Sequence, residues 1–200
     1  IGANLTLKEG SSISLIALPK FAGDIGEITG KDLQLGFYGL YKRKNEEGNA
    51  WSTGAYVNQD QFGLFIVPLV GWYHRSKDGL WEINATLPVW ANIDRKISDQ
   101  FSAGLSFSAL VRSFYLDEGS ANAYLERKAN DVMLYLQYNP ITSLAIQLKA
   151  GYSIGREFEI YNSDDKVDLG LSLFRFGDQR EQLNVDPNDG AFIQVRFLYR

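Results

Sequence analysis

Phe101-Ser102-Ala103-Gly104-Leu105-Ser106-Phe107-Ser108-Ala109-Leu110-Val111-Arg112 is written in two interleaved phases. One phase is apolar throughout: Phe101, Ala103, Leu105, Phe107, Ala109 and Val111. The other carries Ser102, Gly104, Ser106 and Ser108, and then Arg112. Period-2 alternation predicts a β-strand with one apolar face. The polar face is the more informative one. A strand that turns this face to water favours Lys, Glu and Thr, whereas Gly and Ser mixed with single charges suit a narrow lumen.

The same pattern recurs on either side. Leu33, Leu35, Phe37 and Tyr41 oppose Gln34, Gly36, Lys42 and Lys44. Trp81, Ile83, Ala85 and Leu87 oppose Glu82, Asn84 and Thr86. Leu144, Ile146, Leu148, Ala150, Tyr152 and Ile154 oppose Gln147, Lys149, Gly151 and Ser153, and Ile193, Val195, Phe197 and Tyr199 oppose Gln194, Arg196 and Arg200. Connections at 45–49, 76–79, 97–100 and 139–142 are tight and polar, with a short bend at Pro88 on the other side. Those at 22–31, 58–64, 117–122 and 161–190 are longer. The chain therefore reads as about ten antiparallel strands, near 11–21, 32–44, 50–58, 65–76, 80–87, 89–97, 100–115, 123–138, 142–160 and 190–200. Twelve strands are the alternative, should the alternating Lys166–Phe174 supply two more to the wall rather than an external hairpin. Residues 1–9 form a lead-in or plug segment, and 161–189 a long external loop.

Seven aromatics sharpen this reading. Tyr41, Trp51, Tyr73, Trp81, Phe101 and Tyr138 adjoin short turns, Tyr199 closes the last strand at that same short-turn end, and each is read in the apolar phase of its strand. A ring of aromatics at one level on the outward face is what a water–lipid boundary selects. Short turns at one end and long loops at the other are the asymmetry of outer-membrane barrels. The expected fold is thus all-β, a single antiparallel up-and-down transmembrane β-barrel over 1–200. Its expected place is the bacterial outer membrane, with short periplasmic turns and longer external loops. An ordinary antiparallel sheet with one wet face is the competing reading, and it leaves the aromatics unexplained.

Composition is compatible with this and excludes little. The hydrophobic share of 45% is ordinary, and the longest apolar run, Phe65–Trp72, is interrupted by Pro68. Barrel strands alternate and so escape a hydropathy window. With no cysteine, thiolate zinc sites and cysteine nucleophiles are excluded. A net charge of −4 offers no basic footprint for nucleic acid. Phe62–Trp72 is apolar on both phases, which suits a strand packed inside against a plug or the N-terminal segment, or a surface meeting a partner barrel.

Leu87-Pro88-Val89, Tyr124-Leu125-Glu126-Arg127, Lys149-Ala150-Gly151-Tyr152-Ser153-Ile154-Gly155-Arg156, Asp165-Lys166-Val167-Asp168-Leu169 and Phe176-Gly177-Asp178-Gln179-Arg180 resemble an uncharacterised group of bacterial outer-membrane barrels, a domain of unknown function. The likeness runs from about Leu35 onward, and Phe197-Leu198-Tyr199-Arg200 resembles the C-terminal assembly signal of such barrels. The resemblance implies a fold and an address, with no activity and no functional residues to carry over.

Candidate chemistry is sparse. His74 is the sole histidine, and Ser76 beside it sits in a turn, where local hydrogen bonding is its ordinary work. The inward set Glu82, Arg112, Lys149, Arg156 and Arg196 is more informative. Isolated charges in a narrow lumen are costly unless paired or hydrated, so these residues form either a rigidifying cross-barrel network or a polar path that favours anions. Asp164, Asp165, Asp178, Glu181, Asp186 and Asp189 lie in the last long loop at spacings that match no calcium motif. No catalytic, cofactor or metal site is expected. The expected protein is a non-enzymatic barrel acting through its loops or as an accessory of the envelope. Membrane lipid and lipopolysaccharide surround it, other envelope proteins are candidate partners, and nucleic acid is not one. A narrow channel for small polar or anionic solutes is the first alternative, followed by a lipid-modifying enzyme and a soluble ligand-binding barrel.

Overall fold

The computed structural model describes residues 1–22, 30–118, 121–172, 174–185 and 189–199. Eleven strands follow one another across a single sheet in chain order: β1 (Gly2–Lys8), β2 (Ser11–Phe21), β3 (Leu33–Lys44), β4 (Ala50–Asp60), β5 (Gly63–Arg75), β6 (Trp81–Leu87), β7 (Trp90–Lys96), β8 (Phe101–Glu118), β9 (Ala121–Ile141), β10 (Leu144–Asn162) and β13 (Gly190–Tyr199). Every neighbouring pair along this path is antiparallel. Two short strands, β11 (Leu169–Leu171) and β12 (Arg175–Phe176), lie off the path in the connection between β10 and β13. The sheet is not closed, and β1 and β13 are its edges.

Much of the alternation read from the sequence is realised, but β8 changes phase along its length, burying Ser102 and Ser106 and then Ser113 and Tyr115. One addition is β1: residues 2–8 pair with β2 from Gly2↔Ile16 to Lys8↔Ser11, so part of the expected lead-in is a strand of the sheet. The stretch Lys166–Phe174 resolves as a small hairpin rather than two path strands. Leu169 pairs with Phe176 and Gly170 with Arg175, while β11 adds in parallel to β5 through Gly170↔Phe65 and Leu171↔Ile66. The reason lies in unequal strand lengths. β6 pairs with β5 only from Val70 to Arg75, leaving the edge of the upper half of β5 without a β6 partner, and β11 occupies part of it.

The two faces of the sheet differ: one is apolar and exposed, the other polar and buried. Outward positions keep large apolar side chains open to the surroundings: Val70 is 66% exposed, Leu134 67% and Phe197 71%. The opposite face buries polar groups, among them Gln34, Ser52, Asn58, Asp60, Ser102, Ser106, Glu126, Lys149 and Ser153. Among the described residues the apolar core cluster lies at the long-loop end, where Phe62, Phe65, Val67 and Leu69 pack with Tyr124, Tyr161 and Val167. This packing explains why β5 is apolar on both phases: one face is exposed, and the other meets the folded-back connection between β10 and β13.

Candidate functional site: the polar interior

The interior has two charged regions, one at each end of the strands. At the long-loop end Glu126 on β9 is fully buried. It accepts hydrogen bonds from Arg175 Nη2 at 2.7 Å and Arg180 Nη1 at 2.6 Å. Arg180 also donates to the Tyr124 hydroxyl at 3.0 Å and lies 4.1 Å above the Tyr161 ring. Its remaining donors go to Asp178, from Nε at 2.9 Å and from Nη2 at 2.8 Å. The Asp178 carboxyl is held below the usual carboxylate range by that hydrogen bond, against an opposing effect of burial. Arg175 lies 4.6 Å from the Phe62 ring centroid. Lys128 bonds Glu159 at 2.6 Å and Glu157 at 2.9 Å, which completes a network of opposite charges.

Further contacts anchor the connection between β10 and β13. Asn184 accepts from the Ile160 N–H at 2.7 Å and donates to the Phe158 carbonyl at 2.6 Å. The Tyr124 hydroxyl donates to the Asp165 carbonyl at 2.9 Å. Asp189 accepts from the Arg156 N–H, while Asp186 lies outside the described residues. Nearby, Asp60 at the end of β4 accepts from Asn58, from the Gln61 N–H and from the Ser113 hydroxyl. Gln34 donates to the Ser113 carbonyl, tying β3 to β8.

At the short-turn end the interior opens into a cavity of about 480 Å³. Glu82 and Asp94 line it from β6 and β7, and Lys149 and Arg196 from β10 and β13. Tyr135 stands between the two walls. Its hydroxyl donates to Asp94 at 2.7 Å, and its ring lies 5.3 Å from the Lys149 ammonium. Gly104 makes this possible, because a Cβ there would sit 2.5 Å from the Tyr135 ring and 2.3 Å from the Ile93 carbonyl oxygen. Glu82 accepts from the Tyr73 hydroxyl at 3.4 Å, and Ser102 donates to Asp94 at 3.3 Å.

Of the five charged residues singled out by alternation, Glu82, Lys149 and Arg196 thus share one cavity. Arg156 is elsewhere, against Gly190 at the opposite end of β13. Arg112 is exposed, and its neighbour Ser113 is the buried residue. β8 loses its β7 partner after Ser108, and in the freed stretch beyond it Ser113 meets Asp60 and Gln34.

Of the seven aromatics, Trp51, Trp81, Phe101, Tyr138 and Tyr199 are exposed, and Tyr41 is half-buried beside Trp51, 5.5 Å between ring centroids. Phe101 stacks on Tyr138 at 4.9 Å. Tyr73 is a correction: it lies in the inward phase of β5, and Trp72, cross-strand to Trp51, is the exposed aromatic there. Alternation did not decide between them because β5 is apolar on both phases. His74 bonds Asn49 at 2.9 Å, linking two turns. The Ser76 hydroxyl is taken up within its turn by Asp78 and the Trp81 N–H.

The sequence singled out neither Arg175 nor Arg180 as partners of Glu126. Their separations in sequence carry no periodic signal, although Glu126 and Arg180 stand inside two of the phrases quoted above. Comparison with protein-family models, with curated proteins and with solved structures finds no match for this chain.

Proposed function

We propose that this chain is a non-enzymatic integral β-barrel of the bacterial outer membrane, acting as a structural or accessory component of the envelope or through its long loops. The observation that carries this reading is the inversion of the sheet. Val70, Trp72, Leu134, Leu148, Val195 and Phe197 are exposed while Gln34, Asn58, Glu126 and Lys149 are buried. In water such an arrangement forfeits the hydrophobic effect, whereas hydrocarbon outside and polar groups inside reverse the balance. A tilted spanning strand needs about 9–11 residues; β3, β4 and β5 hold 12, 11 and 13, while β6 and β7 hold 7 each. Lipid and lipopolysaccharide would surround the wall.

A bilayer tolerates no open sheet edge, so the reading requires the β1 and β13 edges to be satisfied. Both strands run toward the short-turn end, so they would meet as a parallel seam or hold between them one strand antiparallel to both. Membrane fractionation tests the proposal: the protein should sediment with outer membranes and need detergent for extraction. A monodisperse chain in plain buffer would sink it. Because the chain has no native cysteine, paired cysteines at Ala3, Leu5 or Leu7 and at Ile193, Val195 or Phe197 report on the seam. Cross-linking marks direct contact, and its absence in membrane-embedded protein marks an intervening strand.

A second reading, a narrow path for small anions, is favoured by Lys149 and Arg196 in the cavity. Planar-bilayer recordings that give steady anion-selective currents would move the assignment to it.

A further inference from the structure

Lys149 is 6% exposed, yet among the described residues no carboxylate lies within ion-pair distance of it or of Arg196. The two sit on neighbouring strands, Lys149 opposite Gln194 and Arg196 opposite Gln147, so their side chains rise from the same face two residues apart. Lys149 is buried, whereas Arg196, on the edge strand β13, is exposed. Two adjacent cations repel one another, and burial of an uncompensated ammonium is costly.

The carboxylates of the same cavity do not relieve this. Asp94 is engaged by Tyr135 and Ser102, Glu82 by Tyr73, and Asp99 by Lys96 at 2.7 Å. The acidic groups Glu82 and Asp94 are cross-strand neighbours on β6 and β7, and the cations occupy β10 and β13. Arg75 and Lys96 stand among these carboxylates, so that side of the cavity is mixed, whereas the side formed by β10 and β13 carries Lys149 and Arg196 with no carboxylate among the described residues. A wall that keeps two adjacent cations and no counter-ion is complementary to an oxyanion, which accepts hydrogen bonds from both and removes their repulsion.

We propose that Lys149 and Arg196 form a binding site for a small oxyanion, a carboxylate or phosphate group, held at the short-turn end of the interior. The inference rests on the interior being a water-filled lumen, as the barrel reading holds. The Tyr135 ring forms one side of the site and separates the ligand from the negative Asp94. The second class of anion contact, a helix N-terminus or glycine-rich loop, is not used. The two side chains carry the recognition.

The test is calorimetric titration of the detergent-solubilised full chain with inorganic phosphate and, separately, with succinate. Saturable binding of at least one is expected, and the anion that saturates names the class. Lys149→Gln and Arg196→Gln should each weaken it by about tenfold or more, since each loses a charge-assisted contact. Lys149→Arg should restore it, and Arg112→Gln, outside the cavity, should leave it unchanged. Circular dichroism of each variant checks folding. Absence of saturable binding in the parent chain, or equal binding by the Lys149→Gln and Arg196→Gln variants, overturns the site. Fractionation is independent of this readout. A chain that binds phosphate yet stays soluble without detergent defeats the barrel reading and keeps the site, and a membrane-embedded chain that binds neither anion does the reverse.

Discussion

At the long-loop end a fully buried Glu126 meets two guanidinium groups, while at the short-turn end an almost equally buried Lys149 meets no carboxylate among the described residues. Both charges lie on the face opposite the exposed apolar one, on adjacent strands β9 and β10. The difference is in what covers them. The connection between β10 and β13 folds back over the first, bringing Arg175, Asp178 and Arg180 with it. The second borders open space. A buried charge that is paired and hydrogen-bonded holds structure together, and one left without a partner costs stability and is available to a ligand. The long-loop end therefore reads as a fastening and the short-turn end as a receptacle.

The strongest way to break this comparison is Glu126→Ala. It leaves two arginines buried without their carboxylate and should destabilise the fold by about 3–5 kcal/mol. Denaturant unfolding in detergent measures it, and the 163–185 region should become sensitive to protease. A loss below about 1 kcal/mol would deny the fastening role. Next in size is Gly104→Ala. Its Cβ would collide with the Tyr135 ring and the Ile93 carbonyl, an overpacking that costs about 1–3 kcal/mol. Tyrosine fluorescence should show the displaced ring, and anion binding should fall with it.

Lys149→Met sharpens the contrast through its sign. Removing an uncompensated buried charge should leave stability unchanged or raise it by about 1 kcal/mol in anion-free buffer. A clear loss would mean that Lys149 has a structural partner after all. The smallest effect is that of pH on the fastening. The Asp178 carboxyl is held below its ordinary value by Arg180, so its contribution is present above the unfolded value of about 3.9 and is lost as pH falls through the lower folded value. Proteolysis of 163–185 with an acid-active protease should rise on acidification below about pH 4, and Asp178→Asn should remove that step.

Much of the sheet is legible because most of its strands have one apolar and one polar phase. The expected 32–44, 50–58 and 80–87 became Leu33–Lys44, Ala50–Asp60 and Trp81–Leu87. Gly2–Lys8 was not recognised as a strand because seven residues of weak alternation need their β2 partner to be identified. Tyr73 was placed on the wrong face where alternation is silent, since its neighbour Trp72 satisfies the same rule and only the Trp51↔Trp72 register decides. Half of the cavity was also legible. Glu82, Lys149 and Arg196 are charges in polar phases, whereas Tyr135 and Asp94 became visible only when β7, β8 and β9 were laid side by side.

By itself the sequence determined an all-β chain of alternating strands, with one apolar phase and one phase of small and polar residues. Alternation is local, and a period of two residues survives without knowledge of any neighbour. Only the tertiary structure decided which charges meet. Glu126 finds Arg175 and Arg180 because a distant connection folds back over β9, and Lys149 has no carboxylate beside it among the described residues because Glu82 and Asp94 stand across the cavity on β6 and β7. Pairing over such separations depends on register and on the return of the chain, and neither leaves a mark in the spacing of residues.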